Sequence, residues 1–108
     1  MKHLPYRATT TTGTVIDVQF PLHAQTVSAV AVSQLLDSVL NTLTREIALA
    51  PNVGNGDVLQ ALAMALAVRT GIIHAPFDFI AGETRALLAT ALEAVSCGER
   101  SGLQAGHA

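Results

Sequence analysis

Charge is scarce in this sequence. Only 13% of its 108 residues are Asp, Glu, Lys or Arg, about half the usual share. Lys2 is the only lysine, and the arginines (Arg7, Arg45, Arg69, Arg85 and Arg100) are scattered rather than gathered. With a net charge of −2, no basic face that neutralises phosphates is visible, which argues against nucleic acid as a partner. Cysteine is equally scarce. Cys97 stands alone, so neither an intrachain disulfide nor a multi-cysteine zinc site is available. No apolar run reaches the roughly 20 residues needed to span a bilayer, and no apolar segment of a secretory signal follows Lys2. These absences lead to the expectation of a soluble, cytoplasmic chain with no membrane contact.

Apolar side chains are abundant by contrast: half of the residues are hydrophobic. Between residues 20 and 97 the charges are Asp37, Arg45, Glu46, Asp57, Arg69, Asp78, Glu83, Arg85 and Glu93. A chain of this length is expected to form one domain and to expose much of its surface. So few charges cover such a surface poorly, and contiguous exposed apolar patches mark interaction sites. A homodimer, the commonest homo-oligomer, is expected, with another protein as a further conceivable partner.

The most apolar stretch is VLQALAMALAV at 58–68, where Gln60 is the only polar residue. It contains no Gly or Pro, and Ala, Leu, Met and Gln are strong helix formers. A helix that is apolar all round must be covered on every side, so this stretch reads as the central helix. Ala61/Ala65 and Ala63/Ala67 repeat at four-residue spacing on two flanks, while Leu59, Leu62 and Leu66 form a bulkier side. Leu59, Ala61, Leu62, Ala65 and Leu66 are the expected interface residues.

Before this helix, residues 14–20 alternate. Ile16, Val18 and Phe20 point one way, and Val15, Asp17 and Gln19 the other, which is the period of a half-buried strand. Residues 6–12 contain a threonine run suited to extended structure, so 6–12 and 14–20 read as a hairpin. A connection of Gly13 alone is too tight for a two-residue turn, so the turn is expected to borrow Thr12 or Thr14. The alternative is an unstructured arm over residues 1–13. A helix follows, capped by Thr26 or Ser28 or led by Pro21 in its first turn. Val32, Leu35, Leu36, Val39, Leu40, Leu43 and Ile47 form its apolar stripe, opposite Gln34, Asp37, Ser38, Asn41 and Arg45. It ends near Leu49, because Ala50 precedes Pro51. Asp57 or Asn55 is expected to cap the central helix, and Gly71 to end it in the left-handed conformation. A third helix starts at Asp78 or, given the cost of Gly82, at Glu83, and stops before Gly98. The fold class expected is mainly α: an N-terminal β-arm or hairpin followed by three helices, in a packed or intertwined homodimer. The helical domain spans 14–98, and 99–108 reads as a flexible tail.

Chemistry-bearing residues form no set with catalytic spacing, and no catalytic residue, metal site or cofactor is assigned. GNGD at 54–57 precedes a helix N-terminus, but no strand leads into it and the dinucleotide fingerprint is absent. Cys97 falls at a helix C-terminus, the wrong end for a reactive thiolate. His74, Asp78 and Glu83, with Arg69 nearby, are the candidate ligand-binding residues, since a histidine and two carboxylates can move protons or hold ligands. The leading functional expectation is a small helical homodimeric interaction module: an adaptor, chaperone-like subunit or regulator. The alternative is a small-molecule or metal-binding protein, conceivably a small enzyme, with a pocket near the 70–85 loop.

Overall fold

The computed structural model describes residues 2–10 and 12–101. The elements run β1 (His3–Thr9), β2 (Val15–Pro21), α1 (Ala29–Leu49), α2 (Asn55–Ile72), α3 (Phe77–Ser96) and β3 (Glu99–Ser101). The N-terminal hairpin and the three helices therefore stand as the sequence pattern predicts. The chain divides into two compact units instead of the one expected. The first holds the described residues up to Ser33 and from Ala86 onward, and the second is Gln34–Arg85.

In the first unit the strands form one antiparallel sheet in the order β1-β2-β3. Register places Leu4 opposite Phe20, Tyr6 opposite Val18 and Ala8 opposite Ile16. Since side chains alternate across a strand, these six share one face, and all are buried or half-buried. Val18 is the most enclosed, at 4% exposure. The Tyr6 and Phe20 rings meet diagonally across the strands, with centroids 6.4 Å apart and planes tilted by 50°. The connection is longer than a single glycine. Strand pairing stops at Thr9 and Val15, and the Thr10 N–H donates to the Thr14 carbonyl at 2.9 Å. Gly13 donates to the Thr10 carbonyl at 3.1 Å and adopts φ 91°, the left-handed region that glycine enters without steric cost.

The expected tail begins with structure. Glu99–Ser101 pairs with β2, Asp17 facing Glu99 and Val15 facing Ser101, because β2 would otherwise present its second edge unpaired. The rest of the expected tail, 102–108, lies outside the described residues. Gly98 makes this return possible. A Cβ placed there would sit 3.1 Å from both the Asp17 and Val95 carbonyl oxygens and 3.2 Å from Val18 Cγ2.

Helix ends follow capping chemistry, with three corrections to the sequence reading. Ser28 caps α1, its hydroxyl accepting the Ala31 N–H at 3.1 Å, and Pro21 ends β2 instead of leading the helix. Gly54, extended at φ −97°, is the N-cap of α2. Asp57 therefore stands at the third helical position, and its carboxylate accepts the Gly54 N–H at 3.1 Å. This is the reach-back half of a capping box. Gly71 lies inside α2 and does not have positive φ. Ile73 ends the helix in an extended conformation, its N–H donating to the Thr70 carbonyl at 3.3 Å. Likewise α3 starts at Phe77 with Asp78 inside its first turn, and Ile80 donates to the Pro76 carbonyl at 3.2 Å. Gly82 is carried within the helix.

Candidate functional site

The second unit contains every residue singled out from the sequence as a ligand or interface candidate. Arg69 occupies the last turn of α2, where a cation complements the helix dipole, and its side chain is exposed. His74 is exposed in the connector, Asp78 is exposed in the first turn of α3, and Glu83 is half-buried. Among the described residues no hydrogen bond or ion pair joins His74, Arg69 and Asp78. Nor do any three His, Cys, Asp or Glu side chains gather as metal ligands would. The structure thus gives the 70–85 loop no convergent polar centre.

The polar contact it does build there escaped the sequence reading. Thr70 is only 5% exposed. Its hydroxyl donates to the Leu66 carbonyl at 2.8 Å and lies 3.1 Å from the Thr84 hydroxyl. A hydroxyl has one proton, so Thr84 donates in that second bond. The pair ties α2 to α3 and leaves no buried hydroxyl unsatisfied, so it is structural. Two threonines 14 residues apart carry no sequence signature of such a tie.

The dominant surface of this unit is apolar. Thr70 is the only buried residue of α2. Leu59 is 68% exposed, Val68 65%, and Met64 and Ile72 58% each. Leu66, Ala61 and Ala65 are exposed as well, and Leu62 is half-buried. In α1, Leu36, Leu40 and Leu43 are half-buried at three- and four-residue steps, whereas Leu35, Val39, Ile47 and Leu49 are open. Phe77 and Phe79 at the start of α3 are open too. The expected all-round cover of the central helix is therefore not supplied by its own unit. The physical reason is in its side chains: α2 has no polar face to turn to water, and α1 brings it only one apolar stripe.

The first unit offers a different surface. An open groove of about 370 Å³ runs between Gln19 and Pro21 of β2 and Ala89, Thr90, Glu93, Ala94 and Cys97. The Cys97 thiol is exposed, 3.8 Å from Glu93 Oε1 and 3.9 Å from Ser96 Oγ. A nucleophilic thiolate needs a cationic neighbour or a helix N-terminus, and Cys97 follows the opposite end of α3. On the sheet's outer face Arg7 and Asp17 pair across β1 and β2, with Nε–Oδ1 at 2.7 Å and Nη2–Oδ2 at 3.1 Å. The guanidinium's hydrogen bonds hold the Asp17 carboxyl below its usual range. Both side chains are open to water, so this is a cross-strand clasp and not a buried reactive group.

Among the described residues no helix is long and apolar enough to cross a membrane. No family model, curated protein or solved structure matches the chain.

Proposed function

We propose that the protein is a small helical homodimeric interaction module, acting as an adaptor, chaperone-like subunit or regulator through its helical surface. One observation supports this reading above the others: α2 is apolar around its whole circumference, and nearly all of it is open to solvent. Desolvating a Val, Leu, Ile, Phe or Met side chain fully contributes about 1.5–3 kcal/mol. The open side chains of the second unit leave on the order of 1,000 Å² of apolar surface uncovered, above the roughly 300–600 Å² of the largest patch on a typical monomer. A second chain covers this surface.

Sedimentation of the chain at micromolar concentration tests the reading. The expected result is about twice the 11.2 kDa chain mass. A monomer throughout that range would overturn it.

A further inference from the structure

The charges of α2 carry orientation. Its charged side chains are Asp57 and Arg69, six residues on either side of Ala63. Asp57 stands in the first turn and Arg69 in the last, about 18 Å apart along the axis. Both side chains are exposed. Between them the helix presents apolar residues and Gln60 only. If two copies of α2 lay parallel, Asp57 would face Asp57 and Arg69 would face Arg69, with the helix dipoles aligned. If they lay antiparallel, each Asp57 would stand at the level of the partner copy's Arg69, with opposed dipoles. Unlike charges and opposed dipoles attract.

Side-chain size selects the same arrangement. Two antiparallel helices approach most closely at their crossing point. Ala61, Ala63, Ala65 and Ala67 are grouped about the midpoint between Asp57 and Arg69, and Ala61, Ala63 and Ala65 are exposed. The open bulky residues Leu59, Val68 and Ile72 lie further out, where diverging helices leave room. The area suits the same occupant. A standard interface takes about 800 Å² from each partner, and the open apolar surface of this unit, on the order of 1,000 Å², is enough to form one.

We propose that two copies of the chain pair through α2, antiparallel, about a two-fold axis near Ala63, with each Asp57 level with the other copy's Arg69. This rests on the homodimer reading above and adds its seam and its orientation.

Spin-label distances test it in the full chain. Cys97, exposed, is replaced by serine, and single cysteines are placed at Asn55, Ala63 or Gly71. The first two positions are exposed, and a side chain at Gly71 meets nothing within 4 Å. Each labelled chain is also sedimented. In the antiparallel pair the distance between labels is shortest at position 63. At positions 55 and 71 the two labels are separated by roughly 24 Å along the axis alone. Equal short distances at all three positions would mean parallel helices and overturn the proposal. Long distances at all three in a chain that sediments as a dimer would overturn α2 as the seam while sparing the homodimer. A monomer would overturn both. Arg69→Glu in the otherwise unaltered chain gives a second measurement. It sets a carboxylate level with the partner copy's Asp57, so association should weaken several-fold at low ionic strength and recover with added salt. Unchanged association would overturn the antiparallel arrangement.

Discussion

The two units of this chain solve the same physical problem in different ways. In the sheet unit, β2 pairs with a strand on each side, and residues 10–14 close the hairpin with hydrogen bonds of their own. Leu4, Tyr6, Ala8, Ile16, Val18 and Phe20 share one face and are buried or half-buried. In the helical unit the backbone is satisfied within each helix, yet the side chains of α2 remain open on every side. A strand must find a neighbour to complete its hydrogen bonds, and that neighbour brings side-chain cover with it. A helix completes its backbone alone, so its side chains can be left for another chain to cover.

The largest effect should come from a charge placed in the seam. Ala65→Glu brings two carboxylates together across a two-fold axis in desolvated surroundings, at a cost of several kcal/mol. The expected product is a dissociated chain that keeps much of its helical circular dichroism and binds a hydrophobic dye. A folded, fully dimeric variant would show that Ala65 lies outside the seam, and the contrast between the units would weaken accordingly.

Gly98→Val probes the other unit. Its side chain would press on two carbonyl oxygens at 3.1 Å, and overpacking of this kind costs about 1–3 kcal/mol. Denaturant unfolding should show that loss while the sedimentation of the folded chain stays the same. A change in association without a loss of stability would mean that the sheet unit takes part in the seam.

A smaller effect is expected from the short strand. A chain ending at Gly98 loses β3 and its ladder with β2. Relative to a chain ending at Ser101, it should be less stable by about 1–2 kcal/mol, from roughly one net hydrogen-bond contribution or slightly more. Equal melting temperatures would show that β3 adds nothing to the sheet.

The smallest effect belongs to the Arg7–Asp17 clasp. Asp17 is held below its usual range by the guanidinium, so its contribution is present at neutral pH. It is lost as pH falls below the ordinary carboxylate value and through the lower folded one. Asp17→Asn should remove this acid sensitivity with only a slight fall in Tm at pH 7, and less still in high salt, because both side chains are solvated. An Asp17→Asn chain with an unaltered acid limb of its stability profile would show that the clasp is thermodynamically silent.

Much of the fold was legible because its signals are local. Alternation from Val15 to Phe20, the 3–4 spacing from Val32 to Ile47, the breaks at Pro51 and Pro76 and the glycine in the hairpin loop each act within a few residues. The misread boundaries turn on local competition as well. Asp57 reaches back to Gly54 instead of capping, and Gly71 continues a helix it was expected to end. The candidate site was less legible. His74, Asp78, Glu83 and Arg69 lie near one another in sequence, but nothing in that spacing makes their side chains converge, and in the structure His74, Arg69 and Asp78 are not joined.

By itself the sequence determined three helices, an N-terminal hairpin and a central helix without a polar face, because backbone propensity and hydrophobic period are written residue by residue. Only the tertiary structure decided that Glu99–Ser101 returns to β2 through Gly98, that Thr70 and Thr84 share a buried hydrogen bond, and that α2 is left open by its own unit. Each of these depends on which distant residues meet, and a contact between residues far apart in the chain leaves no periodic trace in either segment.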